Sequence, residues 1–387
     1  MKLKWIHYGS QYVDEEDINE VLGVLRSDFL SSGPKIKEFE ERILEHTGAQ
    51  YCAAVANGTA ALHLAVKALD IDKRKTGITS PITFIASANT FIYNSLKPDF
   101  ADIDEKTYCM DPVELGKRIN NNTAVIIPVH FAGQPCDMEA IRKVSPKNVY
   151  IIEDAAHAIG SKYENGKPVG CCCYSDMTIF SFHPVKTITT GEGGAITTND
   201  KALYEKLVML RNHGLTKDQD KFKVQGSTFN VGPWYYEMQE LGYNYRITDI
   251  QAALGLGQLR KLERFIKRRR EIISFYNEAF KDLEWLTTPY ERPGVFGALH
   301  LYVIKIDFDR IGKTRTQVMT ELKEKAIGTQ VHYIPVHLQP YYREHFGFKE
   351  GDYPKAEQYY RQCLSIPLYP KMTDEDINRV INAIKNL

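Results

Sequence analysis

Lys186 lies inside the segment Ser181-Phe182-His183-Pro184-Val185-Lys186-Thr187-Ile188-Thr189-Thr190-Gly191-Glu192-Gly193-Gly194. The apolar run from Met177 to Phe182 reads as a strand leading into it, and Ala195 to Thr198 as the strand that follows. Lysine is rarely buried without a reason. At a strand end beside a glycine-rich turn, burial lowers the pKa of the amine and frees it as a nucleophile. A Schiff-base lysine that holds pyridoxal 5'-phosphate (PLP) is built in this way. On spacing alone, a surface lysine in a loop satisfies the segment equally well.

A lysine of that kind needs company. A phosphate needs backbone N–H donors at a helix N-terminus. Asn57-Gly58-Thr59-Ala60-Ala61 follows a short strand and opens a helix, and an ordinary capped strand–helix turn has the same pattern. A pyridine nitrogen needs a carboxylate to keep it protonated. Asp154 ends the strand Val149-Tyr150-Ile151-Ile152-Glu153-Asp154, where an acid points into the ligand crevice of an open α/β sheet; a helix cap for Ala155-Ala156-His157 is the simpler role. Phe84 and His157 are candidates to cover the ring faces, and each also suits a core or cap position.

Other signals fail. Gly160 to Lys167 has five residues between its glycines, and Pro168 stands where a P-loop needs Ser or Thr. No H-E-x-x-H occurs, and Gly191-Glu192-Gly193-Gly194 is not a dinucleotide fingerprint. The seven cysteines include Cys171-Cys172-Cys173 but no C-x-x-C pair. Neighbouring strand residues point to opposite faces, so the triplet makes a poor metal clamp, and the cysteines read as buried, reduced thiols with no metal site.

These residues must be held by a large fold. The chain has 387 residues, with 49 basic and 49 acidic side chains. Zero formal net charge argues against a nucleic-acid coat or a polybasic membrane patch. No apolar run approaches a membrane span, and Met1-Lys2-Leu3-Lys4-Trp5 lacks the apolar stretch of a signal peptide, so the cytoplasm is the expected compartment. Ile18, Val21, Leu22 and Leu25 predict an N-terminal helix. Strands are predicted at 51–56, 78–80, 99–103, 124–130, 149–154 and 177–182, with helices at 60–69 and 83–94. Their short, near-continuous apolar runs suit a mostly parallel sheet buried on both faces. Past residue 262 the texture changes to a long helix, a half-exposed strand at 300–307, a helix at 314–326 and a capped last helix after Thr373. The expected organisation is a large α/β domain over 1–262 and a smaller α+β domain over 263–387.

Together the segments resemble the DegT/DnrJ/EryC1/StrS sugar-nucleotide aminotransferases. The pieces are Ser31-Ser32-Gly33-Pro34, Asn57-Gly58-Thr59-Ala60-Ala61-Leu62, Thr83-Phe84, His130-Phe131-Ala132-Gly133, Glu153-Asp154-Ala155-Ala156-His157-Ala158, the lysine segment, Arg211-Asn212-His213-Gly214 and Asn244-Tyr245-Arg246. They run in order from end to end. The segments Ser27–Leu30, Ser181–Lys186, Trp234–Gly242 and Gln330–His337 are similar to the subgroup acting in pseudaminic-acid synthesis, the UDP-4-amino-4,6-dideoxy-N-acetyl-β-L-altrosamine transaminases. Spore-coat and other polysaccharide aminotransferases share parts of these segments.

The resemblance implies the aspartate aminotransferase-like fold type I of PLP enzymes. It gives Lys186 the cofactor's covalent bond and Asp154 the pyridine nitrogen. Thr59, Ala60 and Ser181 would hold the phosphate, and Phe84 and His157 would border the ring. Asn244 would reach the phosphate from the other subunit of a homodimer. Tyr8, Asp28, Phe29, Leu30, Ser31, Gln330, Val331, His332 and Tyr333 match segments that contact the nucleotide sugar. The reaction implied is ping-pong: L-glutamate converts PLP to its pyridoxamine form (PMP), and a UDP-linked 4-keto-6-deoxy sugar then takes the amine at C4. Many members carry glutamine at the position of His157; the histidines at 157 and 183 match the pseudaminic subgroup. Relatives with histidine in place of the lysine dehydrate sugars, which Lys186 argues against. Arg246 is one candidate among many arginines for the glutamate carboxylate.

Overall fold

The computed structural model describes residues 4–224 and 232–387; Met1, Lys2 and Leu3, which entered the expectation about a leader segment, lie outside them. Helices Glu15–Leu25 (α1) and Pro34–Thr47 (α2) precede a seven-stranded sheet. Its strands are Tyr51–Val55 (β1), Thr76–Thr79 (β2), Lys97–Phe100 (β3), Thr123–Ile127 (β4), Tyr150–Asp154 (β5), Met177–Ser181 (β6) and Gly194–Thr198 (β7). The spatial order is β1-β7-β6-β5-β4-β2-β3. Strand β7 runs antiparallel to both neighbours, while β6, β5, β4, β2 and β3 pair in parallel. Helices Gly58–Ala68 (α3), Ala86–Tyr93 (α4), Pro112–Arg118 (α5), Met138–Val144 (α6) and Lys201–Leu210 (α7) connect or flank these strands.

The sheet is covered on both sides. Ala53, Val55, Ile152, Ile179 and Ile196 point into one apolar cluster. Their strand neighbours Cys52, Ala54, Ile151, Phe180 and Ala195 point into another. A strand buried on both faces has no polar alternation, which is why these runs read as continuous apolar stretches.

A short antiparallel pair, Leu215–Thr216 (β8) with Glu237–Met238 (β9), precedes helices Asp249–Arg260 (α8) and Leu262–Phe280 (α9). A second, antiparallel sheet follows, from Leu286–Thr287 (β10), Tyr302–Ile306 (β11) and Cys363–Ile366 (β12). Helices Arg315–Glu324 (α10), Pro340–Phe346 (α11), Pro354–Gln362 (α12) and Asp374–Lys385 (α13) accompany it. Ile304, Ile306, Leu322, Ile377 and Val380 belong to its separate core. Arg269 on α9 is fully buried, and its guanidinium donates to the backbone oxygens of His300 (3.1 Å) and Leu368 (2.8 Å). Burial lowers its pKa to about 10.

Three local readings change. Helix α1 forms, but Ile18, Leu22 and Leu25 are exposed while Asp17 and Val24 are buried. Polar contacts decide its orientation: the Asp17 carboxylate accepts from Gln258 (2.9 Å) and pairs with Lys261 on the α8 side. Helix α4 starts at Ala86 rather than at Thr83, because the Ser80 hydroxyl accepts from the Ile82 amide (3.2 Å) and holds a turn. The Cys171–Cys173 run is a bend rather than a strand, with Cys172 at φ 52°, and it leaves Cys173 exposed while the other six cysteines are buried.

Candidate active site

The C-terminal ends of β1, β2, β5 and β6 open on one cavity of about 700 Å³. The edge is where an open parallel sheet places its ligand crevice. β1 delivers Asn57, Gly58 and Thr59; β2 delivers Thr83, Phe84 and Ser87; β5 delivers Asp154 and His157; β6 delivers Ser181, His183 and Lys186. His300 and the stretch Gln330–Ile334 also line the cavity, with Tyr8 from the N-terminal segment.

Lys186 is held by a loop closed at both ends. The Phe182 amide donates to the Gly193 oxygen (2.8 Å), the Thr190 amide to the Phe182 oxygen (3.0 Å), and the Lys186 amide to the His183 oxygen (2.9 Å). Burial pushes the Lys186 amine down to about 8, against the opposing charge of Asp154. An amine with that pKa is a competent nucleophile and proton carrier near neutrality.

The phosphate-sized turn is built by close packing. Asn57 caps α3, its side chain accepting from the Ala60 amide (2.8 Å). A Cβ at Gly58 would stand 2.8 Å from the Ser181 Cβ, and one at Gly194 would stand 2.5 Å from the Asn57 oxygen. Glycine at both positions lets the α3 N-terminus, with its outward amides, sit against the ends of β6 and β7.

Asp154 is nearly buried. Its Oδ1 accepts from the Ala156 amide (3.1 Å), and its Oδ2 from the Ser87 hydroxyl (2.6 Å). His157 lies parallel to Tyr333, with centroids 6.4 Å apart and 16° between planes, and its Nε2 is 3.3 Å from the Tyr333 hydroxyl. His300 packs against His157 with ring centroids 4.6 Å apart. Burial holds His157 and His300 well below the usual histidine range, helped next by Lys186 at His157 and by His157 and then Lys186 at His300. Burial and then Lys186 take His332 to about 3. These imidazoles are therefore neutral hydrogen-bonding groups. The Nδ1 atoms of His157 and His300 are buried with no hydrogen-bond partner among the described residues. Burial also raises the Tyr333 phenol, helped by Asp154 and Tyr8.

Tyr8, Thr59, Phe84, Asp154, His157, Ser181, Lys186, Gln330, Val331, His332 and Tyr333 line this cavity. Ala60 lies in its phosphate turn through the amide bonded to Asn57. Asn244 and the run Asp28–Ser31 are exposed and do not line it; Phe29 borders a separate groove with Glu20 and Arg260. Arg246 faces a larger cleft of about 1120 Å³, whose walls also carry Glu40, Arg211 and Lys217. That cleft lacks the low-pKa lysine and the strand-end carboxylate, so the chemistry belongs to the smaller cavity. No arginine lines it among the described residues. Sequence reasoning missed Ser87 and His300. Ser87 follows Thr83 at i+4 on a helix start, the one signal that could have singled it out; His300 carries none.

These groups fit PLP: an amine for the aldehyde, a buried carboxylate for the ring nitrogen, a glycine-cleared helix N-terminus for the phosphate, and unpartnered imidazole nitrogens in the wall. Fold and site together define a PLP-dependent enzyme of fold type I. The chain belongs to the DegT/DnrJ/EryC1/StrS aminotransferase family, whose model matches residues 11–385. It is similar to the Bacillus subtilis spore coat polysaccharide biosynthesis protein SpsC, 42% identical over 386 residues, covering 99% of this chain and 97% of the relative. Among solved structures, Helicobacter pylori PseC, an aminotransferase of pseudaminic acid biosynthesis, superposes with TM-score 0.90 at 30% identity, over 99% of each chain. Streptococcus pneumoniae Spr1654, named a candidate sugar aminotransferase and solved in PLP and PMP forms, is also 30% identical. Its PLP form has TM-score 0.88 and covers 99% of this chain and 98% of that one. The protein is thus a sugar aminotransferase that depends on PLP.

Proposed function

We propose that the enzyme moves the amino group of L-glutamate to C4 of UDP-2-acetamido-2,6-dideoxy-β-L-arabino-hex-4-ulose in the cytoplasm, releasing 2-oxoglutarate. The product is UDP-4-amino-4,6-dideoxy-N-acetyl-β-L-altrosamine, a pseudaminic-acid precursor. The observation that carries this reading is the likeness to PseC over 99% of each chain, joined to the wall of neutral histidines around Lys186. PLP, when bound, supplies an electron sink for charge developing on the carbon that loses its proton. Lys186 binds it and then, as a free amine, takes the proton from the donor carbon and returns protons along the way. Asp154 keeps the ring nitrogen protonated. Thr59, Ala60 and Ser181 hold the phosphate, and Phe84 and His157 flank the ring.

The enzyme would work as a homodimer. Asn244 and Asp28–Ser31 lie outside the cavity of their own chain, so a second copy would bring them to it. Ile18, Leu22, Leu25, Phe29 and Leu30, and in the β9 region Trp234, Tyr236 and Leu241, are exposed apolar side chains that such a partner would cover. A second reading, an aminotransferase for another nucleotide-linked keto sugar in polysaccharide synthesis, is favoured by the 42% identity to SpsC. The test measures 2-oxoglutarate from L-glutamate with the L-arabino and D-xylo 4-keto sugars. Preference for L-arabino supports the first reading; preference for D-xylo replaces it with the second.

A further inference from the structure

We infer that Thr83 and Ser87 form a directional hydroxyl relay that tunes Asp154, so that Ser87 is a positioning residue for the ring nitrogen of PLP. Three distances carry it. Ser87 Oγ is 2.6 Å from Asp154 Oδ2, Thr83 Oγ1 is 2.7 Å from Ser87 Oγ, and the Asp154 Oδ1 accepts from the Ala156 amide at 3.1 Å. Ser87 and Thr83 are as buried as core residues, at 1% and 2% exposure, so water does not compete for these contacts.

A serine hydroxyl has one proton. The short contact to a carboxylate oxygen claims it, because hydrogen bonds to ionised groups are the stronger ones. Ser87 must then accept from Thr83, and the longer approach of its Oγ to the Phe84 oxygen (3.3 Å) goes unused. The polarity runs Thr83 to Ser87 to Asp154, each bond strengthening the next. The relay stabilises the carboxylate with donors that carry no charge of their own. It therefore holds an anionic oxygen in place for the pyridine nitrogen and leaves the shared proton on that nitrogen. It also fixes which oxygen lone pairs remain free to face the ring. Ser87 lies in the first turn of α4, three residues after Phe84, so one short segment both covers the ring and sets its charge.

The test titrates the absorbance of the bound cofactor of the holoenzyme against pH. In Ser87→Ala the carboxylate loses that donor and competes for the proton of the ring, so the imine pKa rises by about half to one unit, with turnover down about tenfold. Ser87→Thr restores the hydroxyl and brings the titration back to the parent value. Thr83→Val, which keeps the shape and removes only the upstream donor, shifts it the same way by less. Should Ser87→Ala lose its cofactor or fail to fold, Thr83→Val and Ser87→Thr decide the matter. An unchanged titration in Ser87→Ala, or in Thr83→Val when Ser87→Ala cannot be read, overturns the relay. The inference rests on Asp154 facing the ring nitrogen, and Asp154→Asn separates the two failures. A shift there with none in Ser87→Ala removes the relay alone; no shift in either removes the role of Asp154.

Discussion

The two faces of β5 at its C-terminal end carry two buried polar clusters of opposite design. On one face, Glu153 is saturated. Its Oε2 accepts from His130 Nε2 (2.8 Å) and the Tyr163 hydroxyl (2.5 Å), and its Oε1 from the hydroxyls of Ser175 (2.5 Å) and Thr178 (3.3 Å). The His130 Nδ1 accepts from the Cys136 amide (3.0 Å), which fixes Nε2 as the protonated nitrogen. Burial raises the Glu153 carboxyl, but His130, Ser175 and Tyr163 outweigh it and hold the group below the usual range. On the other face, one residue along, His157 and His300 keep buried nitrogens without partners among the described residues, and Lys186 has its pKa lowered rather than raised. Buried polar groups are normally satisfied. The saturated cluster ties four segments of chain together, and the other leaves its polar atoms facing the cavity.

Substitutions can break that contrast from either side. The largest effect belongs to the open cluster. Lys186→Ala removes the cofactor bond and the proton carrier, so glutamate-dependent release of 2-oxoglutarate falls by roughly 10³-fold or more while the circular dichroism spectrum is kept. Near-normal turnover would end the assignment. In the saturated cluster the effect moves from rate to stability. Glu153→Gln puts an amide against donors that had a carboxylate and costs about 3 kcal/mol in denaturant unfolding, with the folded fraction turning over within about threefold of the parent. Lost turnover at unchanged stability would mean that the two faces are not separate. Its pH sign also follows: with the folded carboxyl below its ordinary range, the contribution of Glu153 is fully present above that range and is lost as pH falls below it, through the lowered folded value. The smallest effect is a pH slope. The Lys186 amine, at about 8, must be neutral to take up PLP, so capture by the apoprotein quickens about tenfold per pH unit below 8 and levels off above it. A rise that continues past about pH 9 without levelling off would place the amine outside the buried setting described.

Much of this was legible in the chain. The strands that end at Asp154 and Ser181, the turn at Asn57 and the lysine segment stand within a residue or so of where periodicity put them, because a sheet buried on both faces leaves a plain apolar signal. Other features were hidden for physical reasons. Strand β12, Cys363–Ile366, is four buried residues with no turn signal to mark it. The α1 stripe pointed the wrong way because one buried carboxylate, Asp17, outweighs three apolar side chains in a single chain. The histidines of the wall come from positions 157, 300 and 332, and no spacing rule links residues that only the meeting of two sheets brings together.

The antiparallel return of β7 has a consequence for the working cycle. Because Ser181 pairs with Gly194, the chain that carries Lys186 is a ring closed by hydrogen bonds instead of a covalent link. The entropy lost in placing the amine is spent once, when the protein folds. Each time the lysine lets go of the cofactor it stays tethered beside it, at an effective concentration far above any free amine in solution. Recapture is then intramolecular, and competing amines have little chance to intercept.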